Sequence, residues 1–136
     1  MRLPLAAFAA AITASLAFPA ALEAQPSGVV LAVVQSSEAD GATGRRLLIE
    51  EGPVYSGDHI ITGAIGQAQV EFRDGTKLVV GPNSMMVIDA FVFADQDTAR
   101  QISINAVRGA FRFIAGKSPK DVYSITTPTA TIGVRG

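Results

Sequence analysis

The chain has one histidine, His59, and no cysteine. Disulfides, thiolate metal sites, cysteine nucleophiles and a lipid-anchored cysteine are therefore excluded. A serine can be joined on paper to His59 and its neighbour Asp58, but no Gly-x-Ser-x-Gly elbow exists to present it. His59 leads the run His59-Ile60-Ile61-Thr62, just after the turn Tyr55-Ser56-Gly57-Asp58. Without a partner motif it reads as a half-exposed histidine at a strand edge. Gly116-Lys117-Ser118 has the form of a phosphate-loop tail, yet Phe111 stands where that motif needs glycine. Pro119 follows at once, in a segment with no helical signal. Asp95-x-Asp97 could open a calcium loop, but the glycine and terminal glutamate of such a loop are missing. Glu50 and Glu51 are adjacent, so on a strand they point to opposite faces and make no carboxylate pair. Arg45-Arg46 is too short for a nucleic-acid patch, and one histidine with scattered acids makes no metal site. The expectation is a chain without catalytic, cofactor-binding or metal-binding residues.

Composition bounds what else the chain can be. It has 136 residues, 49% hydrophobic and 17% charged, which fits one domain and excludes a wholly disordered chain. Lysine plus arginine is 11 against 12 acids, a net charge of −1. That balance excludes nucleic-acid binding through a large basic surface. Met1-Arg2 precedes an uncharged run from Leu3 to Phe18, and then small residues up to Ala24. A positive start, a short apolar core and small residues before a polar one make a secretory signal peptide. The run falls short of the about 20 apolar residues that a transmembrane helix needs. The expected organisation is a signal over residues 1–24 and one domain over 25–136. Ala24 is the expected last residue removed, with Ala20 and Ala21 as alternatives. Cleavage would leave no membrane span and put the domain in the periplasm or outside the cell.

Beyond the signal the pattern is β. All 13 glycines lie there, between short apolar runs, and no stretch has apolar residues at i, i+3, i+4 and i+7. The spacing predicts strands at Val29–Gln35, Arg45–Ile49, His59–Thr62, Gln67–Phe72, Thr76–Val80 and Met85–Phe93. Further strands are predicted at Gln101–Val107, Ala110–Ala115, Val122–Thr127 and Ala130–Val134. Glu38–Gly44 and Gly116–Asp121 read as loops, and Ala94–Arg100 as a single helical turn.

Two hairpins can be argued to the register. A three-residue loop, Arg73-Asp74-Gly75, pairs Phe72 with Thr76, Val70 with Leu78 and Ala68 with Val80. It also pairs Glu71 with Lys77 on the other face, opposite charges across the strands. Gly75 then sits where a type I turn plus bulge needs φ > 0. A turn at Arg108-Gly109 would pair Ala106 with Phe111 and Ile104 with Phe113, making both phenylalanines core with Ile102 and Ile104. Many short strands without helices between them imply an all-β sandwich, jelly roll or barrel. A β-solenoid is the competitor, but the glycine-rich phrases recur at no fixed period.

Two phrases are more specific. One is Gly57-Asp58-His59-Ile60-Ile61-Thr62-Gly63, followed by the alternating stretch from Gly66 into Asp74-Gly75-Thr76. The other is Thr127-Pro128-Thr129-Ala130-Thr131-Ile132-Gly133-Val134-Arg135-Gly136. In that order they resemble the FecR-type domain family. The resemblance implies a bacterial envelope domain built as a jelly-roll-like β-sandwich of short antiparallel strands. In well-known members it is the periplasmic half of a regulator that receives a signal from an outer-membrane siderophore transporter. A transmembrane helix and a cytoplasmic anti-sigma segment then pass that signal on. Here only Arg2 is charged ahead of the apolar run, so the regulatory mechanism does not carry over with the fold. The family pattern usually continues past Val-Arg-Gly with a threonine and another apolar strand. A chain ending at Gly136 is therefore expected to be a fragment or an early stop, with an open edge that self-associates or takes a strand donor.

The motif residues Gly57, Asp58, Thr62, Gly63, Asp74, Gly75, Pro128, Gly133, Arg135 and Gly136 are expected to hold the fold rather than a ligand. Arg135 is the exception: buried in a glycine-flanked strand it would need Asp58, Asp74 or a ligand as partner. The function expected is a non-enzymatic exported module that binds a protein or glycan in the envelope. The alternative is a periplasmic signal-receiving component of iron or siderophore uptake, working with a separate membrane protein.

Overall fold

The computed structural model describes residues 25–129 and 131–133. The first strands are β1 (Gly28–Val34), β2 (Ser37–Gly41), β3 (Gly44–Leu47), β4 (Pro53–Val54), β5 (His59–Thr62) and β6 (Gln67–Phe72). They are followed by β7 (Lys77–Val80), β8 (Met85–Phe93), β9 (Ala99–Arg108), β10 (Phe111–Ile114), β11 (Tyr123–Thr126) and β12 (Thr131–Gly133). A short 3-10 turn, Lys120–Val122, precedes β11. The strands form a five-stranded sheet, β10-β7-β6-β1-β4, and a seven-stranded sheet, β12-β11-β9-β8-β5-β2-β3. All pairings are antiparallel except β9 with β11, which is parallel. The architecture is the predicted sandwich, with one parallel pair added, and the solenoid alternative does not apply.

Alternation explains how the sheets close on each other. In β6, Ala68, Val70 and Phe72 are buried and the residues between them are not. Leu78 and Val80 repeat the pattern on β7, and Ile102, Ile104 and Ala106 on β9. These inward rows meet in one core, where Phe72 of one sheet stacks on Phe91 of the other at 5.8 Å. Each fully buried Val, Leu, Ile or Phe there contributes roughly 1.5–3 kcal/mol.

The β6–β7 hairpin has the predicted register, Ala68 with Val80, Val70 with Leu78 and Glu71 with Lys77. Phe72 N–H donates to the Thr76 carbonyl at 2.8 Å, and Gly75 has φ 84°. The second hairpin is a correction. Gly109 does turn at φ 89°, but β9 and β10 do not pair: Phe111 lies opposite Val80 and Phe113 opposite Leu78. Where the chain crosses to the other sheet, Ala110 is held by the turn between β7 and β8. Its carbonyl accepts the Gly81 N–H at 2.8 Å, and its N–H donates to Ser84 Oγ at 3.0 Å.

Two further expectations fail locally. Glu38–Gly44 is not a loop, because Ser37–Gly41 is a strand between β5 and β3. Its inward residues, Ser37 and Ala39, are buried but small, so a strand alternation was hidden by polar outward neighbours. Ala94–Arg100 makes no helical turn. Asp95 Oδ1 accepts the N–H groups of Asp97 and Thr98 at 3.1 and 3.0 Å, closing a side-chain turn, and Ala99 already belongs to β9. The expected signal over residues 1–24, and Ala130 and Val134 of the last predicted strand, lie outside the described residues.

Candidate functional site

Edge strands β3 and β4 lie at one end of the sandwich, and Arg46 joins them. Register places Arg46 opposite the fully buried Ala39, so its side chain enters the gap between the sheets. There Nη1 and Nη2 donate to the two oxygens of Asp58 at 3.2 and 2.6 Å, a bidentate pair. Nη2 also donates to the Pro53 carbonyl at 3.0 Å, and the guanidinium lies 5.4 Å from the centre of the Tyr55 ring. Asp58 is 2% exposed at its side chain and accepts the Tyr55 N–H as well, at 2.9 Å. The hydrogen bond to Asp58 raises the Arg46 pKa against the opposing effect of burial. Beside this pair lies a cavity of ≈ 240 Å³ floored by Val30 and Leu48. Its walls include Leu47 and Ile49, which are 66% and 64% exposed.

A second polar cluster ties the β6–β7 turn to the opposite sheet. Asp74 is 1% exposed, and its Oδ2 accepts hydrogen bonds from Ser118 Oγ at 2.7 Å and Tyr123 OH at 2.6 Å. Oδ1 accepts the Thr76 N–H at 3.0 Å. Ser118 Oγ in turn accepts the Ala99 N–H at 2.8 Å, and Thr76 Oγ1 accepts the Gly116 N–H at 3.0 Å. Burial pushes the Asp74 carboxyl up, but the bonds from Tyr123, Thr76 and Ser118 together outweigh it and hold it below the usual value. Burial and the neighbouring Asp74 push the Tyr123 phenol up.

A third junction centres on Thr62. Its Oγ1 donates to the Gly81 carbonyl at 2.6 Å and accepts the Ser84 N–H at 2.9 Å. Gly63 adds carbonyl bonds to the N–H groups of Gly66 and Asn83, at 3.1 and 3.0 Å.

The motif residues among those described are thus spread over several junctions rather than gathered at one. Gly57, at φ 89°, lets the chain turn into Asp58. Pro128 is exposed, and Gly133 lies exposed in β12. Arg135 and Gly136 lie outside the described residues. The carboxylates put forward for Arg135 hold other groups: Asp58 holds Arg46, and Asp74 holds two hydroxyls. His59 is exposed as the first residue of β5, which pairs with a strand on each side. Arg46, Ser118 and Tyr123 were not singled out as site residues. Their signal is positional, since the inward direction of each becomes visible only once the pairing is known. Among the described residues no group of acids and histidine could hold a metal ion, and no helix is long and apolar enough to cross a membrane.

Comparison with curated proteins gives no match. Among solved structures, one described as "Cell surface anchoring domain" is similar at 27% identity and a TM-score of 0.43, over 45% of this chain and 82% of that one. Residues 58–136 match the family model described as FecR protein. That span is more than half of the sequence and contains Asp58, the Asp74-Gly75 turn and the Thr127-Pro128 end; the chain belongs to the FecR family.

Proposed function

We propose that this chain is an exported, non-enzymatic FecR-type module that binds a protein or glycan partner in the bacterial envelope. Family membership supports an envelope-associated domain. One observation carries the binding reading. Among the described residues, the buried polar groups Asp58, Asp74, Ser118 and Tyr123 are spent on holding the fold together. Large apolar side chains instead stand exposed beside the sheet edges, with Leu47 and Ile49 at one end and Ile114 and Ile132 at the other. Exposed apolar side chains next to free strand edges are how sheet domains receive partners.

Cell fractionation with N-terminal sequencing tests export, and the expected start lies between residues 21 and 25. Photo-crosslinkers at Ile49 and at Arg112 test binding, and at least one should capture an envelope component in living cells. An intact Met1 on a membrane-bound protein overturns export, and silence at both positions overturns binding. The signal-receiving alternative rests on family membership, and an outer-membrane transporter as the captured partner would select it.

A further inference from the structure

The cavity at the β3–β4 end has a floor that belongs to the core and a rim that does not. Val30 and Leu48 beneath are buried, while Leu47 and Ile49 in its walls remain 66% and 64% exposed among the described residues. Large apolar side chains gathered around one hollow, rather than scattered singly, mark a place where something docks. The size of the hollow, ≈ 240 Å³, suits one large side chain. A cavity of about 150 Å³ already admits a benzene ring, and sites for whole small molecules begin at about 300 Å³. Strand addition is opposed at this end, because β4 is only two residues long and carries Pro53. An occupant therefore enters by a side chain rather than by backbone pairing.

Charge decides what must surround that side chain. Arg46 reaches the cavity wall, but its guanidinium is held by Asp58 and by the Pro53 carbonyl. Its neighbour Arg45 is turned to Glu38 and Asp40, at 3.5 and 4.0 Å. Both cations at this end are thus engaged with acids. Glu50 and Glu51 are different. They stand exposed between the lining residues Ile49 and Gly52, and neither joins an ion pair among the described residues. Their turn is fixed: the Glu51 N–H donates to the Val30 carbonyl at 2.8 Å, and the Gly52 N–H to the Ile49 carbonyl at 3.0 Å. Glu51 has φ 64°, a conformation that glycine adopts more readily. The mouth therefore sets two unneutralised acids beside an apolar hollow. A second copy would bring the same acids to the contact, and like charges oppose it.

We propose that the cavity between β3 and β4 receives one apolar side chain of a partner protein, from a segment in which lysine or arginine flanks that side chain. This rests on the reading of the domain as a binding module, and it chooses a protein segment over a glycan. Contact with Leu47, Leu48 and Ile49 supplies the affinity. Glu50 and Glu51 select, among apolar side chains, one with cations beside it. A sugar would need several placed hydrogen-bonding groups around it. Here the guanidinium is already engaged, which leaves Thr43 and Tyr55 as the other polar side chains of the lining.

The probe is a fluorescent peptide with one leucine flanked by lysines, added to the purified protein. Two relatives serve beside it, one with serine for the leucine and one with glutamates for the lysines. The first should bind, more weakly as salt rises, and both relatives should bind at least tenfold more weakly. Leu47→Ser should weaken binding of the first about tenfold. Glu51→Gly should weaken it about threefold at low salt, as expected for an exposed charge pair. The same change should leave the unfolding midpoint as high as the parent's or higher, because glycine adopts φ 64° without strain. It keeps the test open if Leu47→Ser harms folding. Ile114→Ser, on β10, should change nothing. Equal binding of the three peptides, no binding, or indifference to both Leu47→Ser and Glu51→Gly overturns the proposal. So does a sedimenting mass that rises with concentration and stops rising in Leu47→Ser, which makes a second copy the occupant. In cells, a crosslink from Ile49 into an apolar segment flanked by cations supports it. A crosslink from Ile49 into a glycan, or from Arg112 alone, overturns it and leaves the binding reading standing. Silence at both positions overturns both.

Discussion

At the residue scale, Asp74 shows how a motif carboxylate can be structural. A buried carboxylate without a cation is costly, and here three donors offset the cost. Asparagine at this position would aim its amide N–H groups at Ser118 and Tyr123. Ser118 already accepts from the Ala99 N–H, so accepting a second N–H would leave its own hydroxyl proton without the Asp74 oxygen that takes it. Asp74→Asn should therefore cost on the order of 1–3 kcal/mol near neutral pH. The sign of its pH dependence follows from the depressed folded-state value. Stability from ionised Asp74 is present above the unfolded aspartate pKa of about 4, and it is lost as pH falls through the lower folded value. The gap in unfolding free energy between wild type and Asp74→Asn should be full at neutral pH and shrink below about pH 4. A gap that stays constant with pH would remove the carboxylate charge from the explanation. The sequence marked Asp74 as a turn residue, and in the turn its Oδ1 accepts the Thr76 N–H. Its second role was hidden because Ser118 and Tyr123 lie far along the chain.

Elements differ in how much of their placement is local. The β6–β7 hairpin was legible to the register because its turn, its alternation and its Glu71–Lys77 pairing all agreed over a few residues. The partner of β10 was not, because Ala110 is held by Gly81 and Ser84 from a distant turn. Strand β2 was missed for another reason: its inward side chains are too small to look apolar. Glycines separate the two kinds of constraint experimentally. At Gly75 the demand is conformational, with φ 84° and open space where a Cβ would go. At Gly116 it is spatial, since a Cβ would press on the Asp74 carbonyl and the Thr76 nitrogen, both backbone atoms. Gly75→Val should cost about 1–3 kcal/mol through backbone strain alone. Gly116→Ala should cost at least as much despite its smaller side chain, because the β6–β7 turn must separate from the loop before Ser118. Equal stability of wild type and Gly116→Ala in denaturant unfolding would mean that the turn and the loop do not pack that closely around Asp74.

For the whole molecule, the Arg46–Asp58 pair sits between the two sheets at the β3–β4 end of the sandwich. As a source of stability, such a pair is replaceable. Removing one member of a buried pair is expensive, whereas replacing both by apolar groups is often neutral. Arg46→Leu alone leaves Asp58, 2% exposed, with only the Tyr55 N–H, and should cost about 2–4 kcal/mol. Arg46→Leu with Asp58→Leu should recover much of that loss, because the charge left behind is gone. The double change should also alter association. The β3 edge would then present an apolar interior next to exposed Leu47 and Ile49, with no inward charge to repel a neighbouring strand. Sedimentation of the double variant should show a mass that rises with concentration beyond that of the parent, while circular dichroism stays β-rich. A double variant that regains stability yet sediments like the parent would show that Pro53 and the shortness of β4 keep this end shut without the charge. Arg46 and Asp58 would then orient the sheets and leave edge protection to the backbone.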